Sequence, residues 1–259
     1  MSSSYQVYSE RKPTPMETCL IGNMTWPEAG ERIRDARAVI LPLGSTEQHG
    51  PHMALSTDTV VSEYVCRLVA EKTNCVVLPA MPFGQVWSAK EFPATISLKQ
   101  RTLIEVIKDI VISLEKRGAK NIILFSGHLG NVQPAKEAAR ELLDEYGYRN
   151  VWHMGYTDVK KLGKGFMEAE LWNGKTFHAA EIETSIMLYI APELVKMEKS
   201  VCEIPEVPPD LDLRPILWTE FSKTGVFGDA TLSTAEKGKQ FLNNWLKELV
   251  DLIITNVKD

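Results

Sequence analysis

Short apolar runs that stop at turn residues alternate with amphipathic stretches along most of this chain, and nothing else in the sequence constrains the fold as tightly. "AVILPLG" (38–44), "CVVLPAMPFG" (75–84), "NIILFSGH" (121–128) and "NVWHMGY" (150–156) read as strands. Between and after them the apolar residues recur at helical period. Val60, Val61, Tyr64, Val65, Leu68 and Val69 mark a helix over 58–72, and Leu103 to Leu114 a second. "QPAKEAARELLDEYG" (133–147) and "AAEIETSIMLYI" (179–190) read as two more, and a final helix runs over 235–256. This order predicts an α/β fold, a three-layer α/β/α arrangement with a mostly parallel central sheet. Residues 1–35 read as an N-terminal arm with the first elements, and 36–259 as one domain, since 259 residues can bury a sizeable core. The Pro-rich stretch from Cys202 to Pro215 is expected to be an ordered surface excursion, because Ile, Val and Leu punctuate it.

In parallel sheets, sites lie beyond the carboxyl ends of the strands. The stretch "LPLGSTEQHGPHMALSTDT" (41–59) puts Glu47, His49, His52 and Asp58 just past one strand, in a chain with only five histidines, and His128 sits at the end of another. Imidazole nitrogen and carboxylate oxygen suit Zn²⁺, Mn²⁺ or Fe²⁺, and no cysteine stands nearby to suggest a closed structural site. Glu47 and His49 can diverge toward two ions that Asp58 bridges; ions about 3.5–4 Å apart would share a water and lower its pKa. Each residue also has a plainer reading. Asp58 suits a helix N-cap, His49 a hydrogen-bonded loop histidine and Glu47 a solvated carboxylate. His52, after Pro51, either lines the mouth of the site or stands outside it.

A net charge of −5 with dispersed Lys and Arg argues against nucleic acid or an anionic membrane surface as partner. No apolar run approaches the roughly 18 residues of a membrane span, and "MSSSYQVYSERKPTPMETC" lacks the apolar core of a signal peptide. A cytoplasmic protein is the expectation. Cys19, Cys66, Cys75 and Cys202 show no zinc spacing and read as free thiols. "GHLGN" has no following lysine and matches no phosphate-loop pattern.

"GSTEQHGPHM…TDT", "FSGHLGN" and "HAAEIETSIML" resemble the creatininase (creatinine amidohydrolase) family, as do "EFPATISL" (91–98) and "TGVFGDATLSTAEKG" (224–238). The resemblance implies a creatininase-like fold and a metal-dependent hydrolase. In such an enzyme an ion-activated water attacks the carbonyl of a small cyclic amide, formamide or related C–N substrate. It assigns Glu47 and His128 to one divalent ion and His49 to the other, with Asp58 bridging. His178 becomes the acid/base residue, although it could instead cap its own helix. Homo-oligomers, hexamers in relatives, are implied as well. Hydrolytic C–C opening of a cyclic ketone, or a non-catalytic metal-binding scaffold, are the competing readings.

The departures from the family are specific. Creatinine-hydrolysing members read Gly-His-Tyr-Glu where this chain has Leu129 and Gly130, so a ligand of the second ion is missing. Glu183 is the replacement expected, with a buried helix carboxylate bonding the backbone of the 128–131 loop as the alternative; Glu181 is expected to be solvated or to support a ligand. The family's active-site tryptophans fall at Thr157 and Gly174, and the glutamate before the catalytic histidine falls at Phe177. Creatinine itself is therefore not the expected substrate. Trp87, Phe92, Leu129 and Phe177 are the expected pocket walls, and Lys90 or Lys175 the groups that could meet an acidic substrate.

Overall fold

The computed structural model describes residues 19–258; of the N-terminal arm and first elements expected over 1–35, residues 1–18 lie outside the described residues. Helix α1 (Trp26–Asp35) leads into β1 (Val39–Leu43), and α2 (Thr57–Thr73) into the two-residue β2 (Val76–Val77). Then come α3 (Gln100–Glu115), β3 (Ile122–Ser126), α4 (Val132–Tyr146) and β4 (Val151–Gly155). The strands form one parallel sheet in the order β2-β1-β3-β4, with Leu43 beside Ser126 and Ser126 beside Gly155. The carboxyl ends of β1 and β3 are thus in register, and the loops leaving them start side by side.

Alternation along the strands builds two cores. Val39, Leu41, Leu43, Ile122 and Leu124 face α3 and α4, where Leu103, Ile107, Val111 and Leu142 are fully buried. Ile40, Ile123 and Phe125 face the other way, toward α2, the short α5 (Val159–Leu162), α6 (Glu181–Ile190) and the long α7 (Ala235–Asn256). The three-layer α/β/α architecture follows. A small antiparallel pair, β5 (Cys202–Glu203) with β6 (Gly228–Asp229), lies apart from the main sheet. No helix among the described residues is long and apolar enough to cross a membrane.

Three local expectations need correction. The strand expected over 75–84 shrinks to two residues, because Pro79 and Pro82 have no N–H to donate; beyond Val77 only isolated bridges such as Leu43 to Met81 remain. The helix expected from Ala179 starts at Glu181. In the Pro-rich stretch, Ile204, Val207 and Leu213 are exposed rather than packed. What holds that segment is polar: the Trp172 indole donates to the Pro205 carbonyl at 2.7 Å, and the Trp218 N–H to the Ser88 carbonyl at 2.9 Å. No disulfide forms among the described residues; Cys202 is exposed, and Cys19, Cys66 and Cys75 are buried.

Candidate functional site

The loop after β1 carries Glu47 and His49, the first turn of α2 carries Asp58, the end of β3 runs into His128, and the first turn of α6 carries Glu183. The fold brings all of these together, and all are buried. Asp58 is not the N-cap of its helix: Ser56 holds that position, and the Asp58 carboxylate accepts from the Ser45 hydroxyl at 2.7 Å. The donors fall into triads around shared carboxylates. Glu47, Asp58 and His128 can converge on one point, His49, Asp58 and Glu183 on another, and Glu47, His49 and His178 on a third; Asp58 belongs to the first two.

Backbone carbonyls fix which nitrogen of each ring is free. A carbonyl can only accept, so the nitrogen beside it must carry the proton. His49 Nδ1 donates to its neighbour Glu47's carbonyl at 3.1 Å, which leaves Nε2 facing Asp58 at 3.2 Å. His128 Nε2 donates to the Gln85 carbonyl at 2.8 Å, which leaves Nδ1 at 3.0 Å from both Glu47 and Asp58. Glu47 Oε2 and His49 Nε2 are buried without a hydrogen-bond partner. In the neutral rings that an ion requires, these nitrogens offer lone pairs beside buried carboxylates, which a buried cation satisfies, and this N/O donor set fits divalent zinc, manganese or iron.

The electrostatics agree with that fit. Burial opposes charge on both rings, yet the carboxylates overcome it, Asp58 foremost at His49 and Glu47 foremost at His128. His49 is pushed up to about 10, and His128 well above the usual imidazole range. Burial likewise works against Glu47 and Asp58, but the imidazoles hold both below their ordinary values. Glu183 goes the other way: burial, aided by the charge of Asp58, raises it to about 7. The Glu183 carboxylate also accepts a backbone hydrogen bond, but from the Ala179 N–H at 2.6 Å and not from the 128–131 loop expected as its alternative partner.

His178 does not cap a helix. It lies in an isolated antiparallel bridge with Phe227, three residues before α6. Its Nε2 donates to the Gln48 carbonyl at 2.8 Å, and its ring rests against His49 with centroids 4.5 Å apart. Burial pushes this imidazole down to about 4, against the pull of the Glu47 carboxylate. His52 stands outside the site: it is buried, with Nε2 at 2.9 Å from the Thr184 hydroxyl. Glu181 is not solvated; it accepts from the N–H groups of Glu168 and Ala169 and pairs with Lys237.

A cavity of about 250 Å³ opens above the cluster, with Glu47, Asp58, His128, His178 and Glu183 exposed to it. Leu129, Phe177 and Trp218 supply its apolar lining, and Gln85, Ser88 and Thr176 its uncharged polar lining. Trp87 and Phe92, expected as walls, do not line it, because their segment presents Ser88 to the cavity instead. Lys90 sits over the Trp87 ring at 5.5 Å, and neither it nor Lys175 reaches the cavity. Trp218 is the residue that sequence reasoning missed; it follows the Pro-rich stretch, in a segment with no periodicity to read. The glycines of "GHLGN" let backbone approach protein rather than ions: a Cβ at Gly130 would collide with the Gln85 carbonyl oxygen and with His128 Nε2. A glutamate at position 130 therefore has no room in this backbone.

The comparisons with known proteins agree with the geometry. A family model, "Creatininase: Creatinine amidohydrolase", matches residues 22–253. The creatinine amidohydrolase of Pseudomonas putida is 28% identical over 256 residues, covering 92% of this chain and 96% of that protein. A mycofactocin precursor peptide peptidase of Mycolicibacterium smegmatis is 30% identical over 225 residues, 83% of each chain. A crystal structure of creatinine amidohydrolase matches with a TM-score of 0.81 at 28% identity, covering 92% of this chain and 98% of its own. Solved creatininases of similar fold include a Zn-Zn form (TM-score 0.81) and an Mn form (0.77). Two carboxylate-bridged donor triads at the ends of neighbouring parallel strands, in a chain matched along nearly its whole length, identify it as a member of the creatininase family of hydrolases.

Proposed function

We propose that this chain is a metal-dependent amidohydrolase that cleaves a C–N bond in a small cyclic amide, formamide or related substrate. It uses two divalent ions, zinc first, with manganese or iron as alternatives. The observation that carries this reading is the pair of donor triads that share Asp58. Glu47, Asp58 and His128 would hold one ion, and His49, Asp58 and Glu183 the other, with Glu183 standing in for the ligand that Gly130 cannot supply. Bound there, the ions would supply a water of lowered pKa and an electrophile for the substrate's carbonyl oxygen.

The remaining roles fall to the chain's own groups. His178 moves the proton: its Nε2–H is committed to the Gln48 carbonyl, which leaves Nδ1 for exchange, and burial keeps the ring neutral at neutral pH. Phe177 cannot accept a hydrogen bond from an exocyclic amino or imino group, and this supports poor turnover of creatinine, the substrate named for the Pseudomonas putida relative. The hexameric assembly and cytoplasmic location expected from the sequence belong to the same reading, and light scattering and cell fractionation test them.

The direct experiment is elemental analysis of protein purified without chelator, joined to a screen of lactams, formamides and cyclic ketones. Two equivalents of metal and turnover of a C–N substrate are expected. Turnover confined to cyclic ketones would replace amide hydrolysis with C–C opening. Metal without any turnover would favour a non-catalytic scaffold.

A further inference from the structure

The lining of the cavity limits what can enter it. Its charged groups are the carboxylates Glu47, Asp58 and Glu183 and the imidazoles beneath them; among the described residues no lysine or arginine reaches it. Beyond the ion cluster the walls are Leu129, Phe177 and Trp218. A carboxylate or phosphate on the substrate, placed away from the reacting carbonyl, would be buried against those walls without a partner, which is costly. The volume, about 250 Å³, lies below the roughly 300–1,000 Å³ usual for larger ligands.

Trp218 is built to be a wall. Its ring lies 4.8 Å from the His178 ring at 57°, and packs edge-on against Phe227 at 4.6 Å and 76°. Its N–H donates to the Ser88 carbonyl at 2.9 Å, and its carbonyl accepts from Ser222 at 2.8 Å, so the backbone that carries it is tied on both sides. Neither Thr157 nor Gly174, where the family's tryptophans fall, lines the cavity. One flat surface is thus restored from a different segment of the chain, on the same side as the proton-moving histidine.

Resting on the hydrolase reading above, we infer that the substrate is a small, uncharged ring and that Trp218 is the residue that selects it. The ring lies along the indole with its carbonyl toward the ion cluster. Ser88, Thr176 and the Gln85 side chain offer it neutral hydrogen bonds, and an anionic substituent is rejected. Stacking of this kind accounts for a modest and measurable part of affinity.

A matched pair of probes tests this: dihydrouracil, and dihydroorotate, which is the same ring bearing a carboxylate. Binding of each to the zinc-loaded full chain is measured by calorimetry, together with zinc content, for the wild type, Trp218→Ala and Trp218→Phe. The wild type should prefer dihydrouracil by at least tenfold. Trp218→Ala should weaken dihydrouracil by about 2–10-fold at unchanged zinc content, and Trp218→Phe should recover most of the loss. Equal or tighter binding of dihydroorotate, indifference of dihydrouracil to Trp218→Ala, or binding of neither ring would overturn the inference. The hydrolase reading fails separately: the expected preference without turnover of any amide would sink that reading and leave the selectivity standing.

Discussion

At the residue scale, His49, His128 and His178 each spend one ring nitrogen on a backbone carbonyl, and two of those carbonyls, Glu47's and Gln48's, belong to the loop that carries Glu47 and His49. The loop that delivers a ligand therefore also orients the next ring. His128→Ala should lower bound metal and abolish hydrolysis while the fold survives, because the ring packs against loops rather than either core; unchanged metal stoichiometry would remove His128 from the site. His178→Ala should keep its metal and lose roughly 10²–10⁴-fold in kcat, the usual share of acid/base catalysis. A variant that melts earlier yet turns over normally would assign His178 to structure alone. Proton linkage gives a third test. Without an ion His49 titrates at about 10, so it is protonated at neutral pH, and ion binding requires the neutral ring. Uptake should release protons, and affinity should fall as the pH is lowered. Calorimetry in buffers of different ionisation enthalpy reads this directly, and buffer-independent heats would contradict it.

At the scale of elements, the helices were legible because their apolar faces repeat strictly; α4 and α7 begin and end within a residue of expectation. Helix α7 has a good start signal. The Thr234 hydroxyl accepts from the Lys237 N–H at 3.2 Å, so Thr234→Ala should cost about 0.5–2 kcal/mol and leave the rate alone, as a thermal melt beside an activity assay would show. The segments after the strands were harder to read. Their residue types declared the chemistry, and Glu47, His49, Asp58 and His128 do come together, but their mutual distances depend on β1 and β3 being adjacent and in register, which no local pattern encodes. Trp87 and Phe92 looked like walls because they follow a strand. The prolines at 79 and 82 end that strand early, and beyond them Gln85 and Ser88, not Trp87 or Phe92, line the cavity. Trp218 was invisible for the opposite reason: its position is set by a hydrogen bond to the distant Ser88 backbone, in a stretch without an apolar repeat.

At the scale of the molecule, the donor groups come from the loop after β1, from α2, from the end of β3 and from α6, so ions held among them would tie four parts of the chain together. Ions that bind only the folded chain stabilise it by mass action, by about 4 kcal/mol at a thousandfold excess over the dissociation constant. At roughly 2–4 °C per kcal/mol for a domain of this size, chelation should lower the melting temperature by roughly 10 °C, and zinc should restore it. A melt indifferent to chelator would place the ions elsewhere or nowhere. The crowded backbone at Gly130 bears on ancestry. A glutamate there cannot be accommodated until the segment around Gln85 moves, so the ligand arrangement of creatinine-hydrolysing relatives is not a single codon away. A lineage that crossed from one arrangement to the other in single steps would pass through chains that had lost the old ligand, Glu183, or had not yet cleared space for the new one. Such intermediates would be selected against, and the two arrangements should persist as separate branches rather than interconvert by drift.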